Sequence, residues 1–309
     1  VLPFVITRTH EICVEDVRLG PPVSGGSLVT WREKGGKFGV EGVVADRGGD
    51  PRRYGRWGVP GRPWSGWIAP LRLGGFVSFF LEEPDRASLV MERHVALGDG
   101  AGHRSVIARI DETLRTVDAA QAANGESIVV WHVWQSVDDG GNADGPIYGR
   151  RFDAAGRPLG ASFMVSSAAG ALLGVANNAA GQFVITWISG GQGQMRTYAA
   201  GGAPQSPVVP IGSEVDPGVS AIPFSRPALD ARGNVLVLWL RVAYTRDTLL
   251  AQLFDSQGRQ LGPAVVVADI PEGFLLPGGA ASLHDGLWAV TWGQYDSQGT
   301  RLLLRRFAS

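Results

Sequence analysis

The apolar residues of the chain fall in short runs rich in Val, Ile and Leu, separated by Gly, Asp, Asn and Pro. Runs of this kind, with such turn residues between them, read as β-strands. One pattern recurs six times: a Gly, five residues, then an aromatic that ends a β-rich run. It reads GGSLVTW (25–31), GGFVSFF (74–80), GESIVVW (125–131), GQFVITW (181–187), GNVLVLW (233–239) and GLWAVTW (286–292). The closing aromatics, Trp31, Phe80, Trp131, Trp187, Trp239 and Trp292, step by 49, 51, 56, 52 and 53 residues. Passing from Trp292 through the C-terminus and on to Trp31 takes 48 residues. A closed ring requires that last step to match the others; an open stack does not.

Each repeat predicts four strands. The segment before the marker is poor in bulk, as in VDAAQAANG (117–125) and GVANNAAG (174–181), which suits a crowded central channel. The marker run is the second strand, its terminal aromatic available for packing between units. IYGRRFD (147–153), LLAQLFD (249–255) and LLLRRFA (302–308) give the third strand. In two repeats a turn follows, FDAAGRPLG (152–160) and FDSQGRQLG (254–262), with Asp opening it and Gly supplying positive φ. SFMVS (162–166) and AVVVA (264–268) are the outer strands. The sixth repeat stops after its third strand, and residues 2–7, LPFVIT, resemble the missing fourth. The expected fold is all-β, a six-bladed β-propeller of four antiparallel strands per blade. It forms one domain over 1–309, with the N-terminal strand completing blade six and removing its open edge.

The stretch GESIVVWHVWQSVDDGGNADGPIYGRRFDAAGRPLGASFMV (125–165) resembles the repeat of bacterial secreted and surface propeller proteins. In these a VVW strand leads through a polar loop to an I-x-G-x-x-F-D strand and a G-x-x-L-G turn. The likeness is full in the third repeat, partial in the fifth and faint in the first, second and fourth. It implies architecture only, because such propellers share no activity.

Composition narrows the function classes. Net charge is −1, so nothing in the chain as a whole favours nucleic acid or an anionic membrane surface. Of the basic residues only Lys34 and Lys37 are lysines. Cys13 stands alone, which excludes an intrachain disulfide and a cysteine-rich zinc site. No apolar run is long enough for a helical membrane span. The chain starts at Val1 rather than Met, consistent with a processed or trimmed start and an extracellular or periplasmic location.

Loops joining second to third strands open on the same face as the connections between blades, and three segments stand out there. The loop from His132 and Trp134 carries Asp138, Asp139, Asn142 and Asp144. These are hard oxygen ligands suited to Ca²⁺, and equally the ordinary residues of a hairpin loop. Segment 50–67, read as the connection from blade one to blade two, interleaves Arg52, Arg53, Arg56 and Arg62 with Tyr54, Trp57, Trp64 and Trp67. Arg and Trp anchor protein interfaces, and aromatic faces stack on sugars, though these Trp also suit packing between blades. The remaining loops scatter both signs of charge around the channel mouth, as in Tyr244-Thr-Arg246-Asp247 and Gln294-Tyr295-Asp296. Nucleophile-elbow, zinc-protease and phosphate-loop motifs are absent from the sequence. The expected function is a non-catalytic binding or assembly module for a protein partner or a glycan, without a cofactor. The alternative is a propeller hydrolase or lyase with a channel-mouth site, helped by Ca²⁺.

Overall fold

The structure is a computed structural model. It describes residues 4–9, 14–23, 26–33, 40–46, 51–57, 67–70, 76–82, 88–94, 103–109, 113–136, 142–143, 145–169, 171–212, 220–223, 227–243, 246–271, 273–283, 286–297 and 299–308. Side chains are described mainly from residue 116 onward.

After β1 (Phe4–Thr9) the strands group into six antiparallel sheets. Sheet one holds β2 (Val14–Val23), β3 (Gly26–Glu33), β4 (Val40–Asp46) and β5 (Pro51–Trp57). Sheet two holds β6 (Trp67–Pro70), β7 (Phe76–Glu82), β8 (Ser88–His94) and β9 (His103–Arg109). Sheet three holds β10 (Thr113–Gln121), β11 (Ser127–Ser136), the short β12 (Asn142–Ala143), β13 (Gly145–Phe152) and β14 (Phe163–Ala169). Sheet four holds β15 (Ala171–Asn177), β16 (Phe183–Ser189), β17 (Gln192–Tyr198) and β18 (Val209–Ile211). In sheet five the first strand is split into β19 (Ser220–Pro223) and β20 (Ala228–Leu229), followed by β21 (Val235–Ala243), β22 (Arg246–Phe254) and β23 (Val265–Ile270). Sheet six holds β24 (Phe274–Ser282), β25 (Leu287–Asp296) and β26 (Gly299–Ala308), and β1 pairs with β26 from Phe4↔Leu304 to Thr9↔Thr300.

The first strands meet around the ring. β2 touches β24 and β6, β10 touches β6 and β15, and β20 touches β15 and β24. The core lies between sheets, not within any one of them. Val235, Val237 and Trp239 of β21 pack with Val184, Met195 and Ile211 of sheet four. The alternate residues Leu236, Leu238 and Leu240 pack with Trp288, Val290 and Trp292 of sheet six. A strand with period-two side chains and both faces buried must be apolar throughout, which is why these second strands read as continuous runs. Trp187 likewise joins Ile128, Val130 and Ile147 of sheet three. Each of these marker tryptophans is a wedge driven against the preceding sheet.

Turns with one backbone design connect first to second and third to fourth strands. Gly125, Gly156, Gly181, Gly202, Gly233 and Gly258 all have positive φ, and each amide donates to the carbonyl three residues earlier. Where Asp opens the turn, its side chain repeats the bonding. Asp153 Oδ1 accepts from the Ala155 and Arg157 amides at 2.9 and 2.8 Å, and Oδ2 from Arg157 Nε at 2.8 Å. Asp255 does the same with Gln257 and Arg259 at 2.9, 2.9 and 2.7 Å. The Arg157 amide and guanidinium hold the Asp153 carboxyl below its ordinary 3.8. At Asp255 desolvation pushes upward, but the Arg259 amide and guanidinium outweigh it and the pKa is again lowered. The same turn forms at Tyr198–Pro204 with Ala199 in place of Asp. There Tyr198 stacks on Phe183 at 4.7 Å, and burial pushes its hydroxyl up to about 12.

A second device fastens the fourth strands of sheets three, four and five. Two residues before the turn, a polar side chain donates to a carbonyl leading into that strand. Arg150 Nε bonds Gly160 O (3.0 Å), Arg196 Nε bonds Ser206 O (3.2 Å) and Gln252 Nε2 bonds Gly262 O (2.7 Å). Arg305 holds the matching place in sheet six, whose fourth strand β1 is not joined to β26 by a turn. It reaches to sheet five instead, with Nη1 donating to Val267 O at 2.9 Å. Other side chains bridge sheets directly: Arg151 Nη1 to Gly201 O (2.9 Å), Asn178 Nδ2 to Asp230 O (3.0 Å) and Thr197 Oγ1 to Ser256 O (2.6 Å).

Trp239→Ala is expected to cost roughly 3–5 kcal/mol in urea unfolding, since the wedge is removed from an already packed seam. Asp255→Ala should lower Tm at neutral pH. Because the folded carboxyl titrates below 3.8, its contribution is present above that pH and fades as pH falls through the folded value. The Tm gap between wild type and variant should therefore close in strongly acidic buffer.

Candidate functional site

The described geometry on the loop face is fullest at the junction of sheets five and six. β24 begins and β25 ends there, and Phe274 lies directly opposite Tyr295. Their rings stack with centroids 4.8 Å apart and planes 21° from parallel. Both stay exposed, at 40% and 45%, so this stack is a platform and not part of a core. Gly273 (φ 105°) leads into it, and a Cβ there would collide with the Tyr295 carbonyl.

Strand alternation puts Gln294 and Asp296 on the opposite side of β25 from Tyr295, and Arg301 faces Gln294 across the ladder. Gln294 Nε2 donates to Asp296 Oδ2 at 2.8 Å, and Arg301 Nη2 donates to the same oxygen. Arg301 Nε, out of contact with solvent, meets no acceptor among the described residues. From sheet five, Asp247 Oδ2 accepts the Leu275 amide at 3.0 Å, and this carboxylate is only 8% exposed. Nearby Asp269 Oδ1 accepts from Thr248 Oγ1 at 3.0 Å and lies 3.5 Å from Arg246 Nε. The result is an aromatic side and a polar side at one strand end. The carboxylates are held by the chain's own donors, an arrangement suited to holding hydroxyl-rich ligands.

The sequence-derived candidates are placed less fully. Arg52, Arg53, Tyr54, Arg56 and Trp57 belong to β5, which pairs with β4 from Val40↔Trp57 to Val44↔Arg52 with a register shift between Glu41 and Gly42. This half of the segment is thus the outer strand of sheet one, not a connection between sheets. Pairing of residues 51–57 with Val40–Ala45, interrupted by one register shift, explains the difference. Trp67 opens β6, and Arg62 and Trp64 lie outside the described residues. His132, expected in a loop, is fully buried within β11, opposite Thr116 and Ile147. β11 runs on through Trp134 to Ser136, so the loop starts later than the sequence suggested. Asn142 pairs with Ser136 in the β11–β12 ladder, which makes this segment a hairpin extension. Asp138, Asp139 and Asp144 lie outside the described residues. Among the described residues no group of three His, Cys, Asp or Glu could hold a metal, and no helix is long and apolar enough to cross a membrane. Sequence reading had marked Arg246, Asp247 and Gln294–Asp296 but missed Phe274, which shows only once β24 and β25 are paired.

No family model matches the chain, and no curated protein matches it in sequence. Solved structures do match. A Dyadobacter fermentans protein of unknown function is 12% identical, with TM-score 0.65 over 99% of this chain and 98% of that one. Penicillium chrysogenum α-L-arabinanase, complexed with arabinobiose, is 11% identical, with TM-score 0.54 over 100% and 98%. Aleuria aurantia lectin, described as a six-bladed β-propeller with a novel fucose recognition mode, is 11% identical, with TM-score 0.53 over 96% and 95%. The chain is an all-β propeller. At these identities the likeness reaches the fold and no further.

Gly273→Ala is expected to displace the start of β24 from Tyr295. Near-UV circular dichroism should report a weakened Phe274–Tyr295 signal, together with a lower Tm.

Proposed function

We propose that the chain is a six-bladed propeller whose last blade is completed by β1, and that it is a non-catalytic module binding a glycan on its loop face. The observation that carries this reading is the exposed Phe274–Tyr295 stack at the loop-face end of sheet six, with Gln294, Asp296 and Arg301 on the opposite face of the same strand end. Aromatic rings offer an apolar face to the C–H face of a sugar, and the fixed polar groups across the strand end suit hydroxyls. The carboxylates there are tied to backbone amide, threonine, glutamine or arginine, which suits recognition better than proton transfer. The propeller likeness includes both a lectin and a glycan-cleaving enzyme. It therefore supports a carbohydrate ligand and leaves a hydrolase or lyase as the second reading. The Arg/Trp strand around Arg53 and Trp57 is a further surface for a protein partner, and an extracellular or periplasmic location accords with a glycan ligand.

Phe274→Ala and Tyr295→Ala should each weaken binding to glycans on a printed array by about tenfold or more while leaving Tm near the wild-type value. Reducing ends or unsaturated products released from those glycans by the wild type would favour the enzyme instead. Unchanged array binding in both variants would remove this site from consideration and turn attention to Arg56→Ala and Trp57→Ala.

A further inference from the structure

We infer that the polar side of this site is a subsite for an uncharged, hydroxyl-rich saccharide, with Asp247 as the acceptor and Arg301 as the donor that bind it. The inference rests on the glycan-binding reading and adds to it the ligand's charge and the two residues that select it.

Asp247 is buried at the seam between sheets five and six, yet it uses only Oδ2, on the Leu275 amide. Its other oxygen remains an acceptor. Arg301 gives Nη2 to Asp296, and its buried Nε meets no acceptor among the described residues. A carboxylate oxygen without a protein partner and a buried guanidinium Nε without one are both groups that gain from a ligand's hydrogen bonds. Ligand hydroxyls answer both, because a hydroxyl donates to the carboxylate and accepts from the guanidinium.

Register sets the spacing. Leu275, Gln294 and Arg301 form one row across β24, β25 and β26. Two inter-strand steps separate the ends of that row, roughly 10 Å, a span for a sugar ring with its substituents and not for a single small ion. Charge sets the class. Asp296 is paired with Arg301 and Asp269 with Arg246, so among the described side chains Asp247 is the carboxylate of this seam without a cation partner. A uronate or sulfate would meet that charge, whereas a neutral sugar would not.

The test uses two conservative variants. Asp247→Asn retains an oxygen for the Leu275 amide but replaces the free acceptor with a donor. Arg301→Lys retains a cation for Asp296 but removes the guanidinium's spare N–H groups. Wild type and variants are applied to a printed array of neutral and acidic oligosaccharides, and the strongest hit is titrated calorimetrically, with Tm as the folding control. The expected result is wild-type binding confined to neutral saccharides, and affinity about tenfold or more lower in each variant at unchanged Tm. Wild-type affinity in both variants, or a preference for uronates or sulfates, would overturn the inference while the glycan-binding reading stands. No wild-type binding to any member of the array would overturn that reading itself. If a variant unfolds, affinity ranked across mono-deoxy forms of the hit decides: equal affinity for all of them also overturns the inference.

Discussion

The described core depends on the packing of one sheet against the next. A four-stranded sheet with both faces apolar has no core of its own. Val235, Val237 and Trp239 are buried only because sheet four is there, and Leu236, Leu238 and Leu240 only because sheet six is. The hydrophobic effect therefore acts between sheets, and Trp187, Trp239 and Trp292 set the wedges between neighbours. The polar bridges are secondary. Arg151, Asn178 and Thr197 reach to carbonyls in turns of the next sheet, fixing how far one sheet slides on another.

That constraint explains what was legible from the residues. The Gly-to-aromatic runs could be read because Gly125, Gly181, Gly233 and Gly286 adopt positive φ and Trp187, Trp239 and Trp292 fill seams. Both demands act on a single residue at a fixed distance. The Asp-opened turns could be read for the same reason, since Asp153 and Asp255 bond within four residues of themselves. The copy at Tyr198–Pro204 could not, because Ala199 and Ala203 make its backbone bonds without the signature side chains. The assignment of 50–57 to a connection failed because Arg and Trp suggested a loop, whereas pairing with β4 decided the matter. His132 misled in the same way, since β11 extends four residues past it.

The binding site was legible only in fragments. Gln294, Tyr295 and Asp296 are consecutive, but strand alternation divides them between an aromatic side and a polar side. Phe274 stands 21 residues from Tyr295 and becomes its partner through the ladder alone. Asp247 lies on another sheet altogether and is tied to the site by one amide bond. Propeller sites assembled in this manner take single residues from separate strands, so no local motif announces them.

The pairing of β1 with β26 has a mechanical meaning. Phe4 lies beside Leu304, so the chain leaves β1 and β26 at the same end of the pair. A load pulling these two ends apart would open the ladder like a zipper, from Phe4↔Leu304 toward Thr9↔Thr300, one bond at a time. Sheared strands share a load among all their bonds, while peeled strands do not. This edge is therefore the place where tension on the flanking chain would open the ring, whereas the tryptophan seams would be loaded only after it had parted.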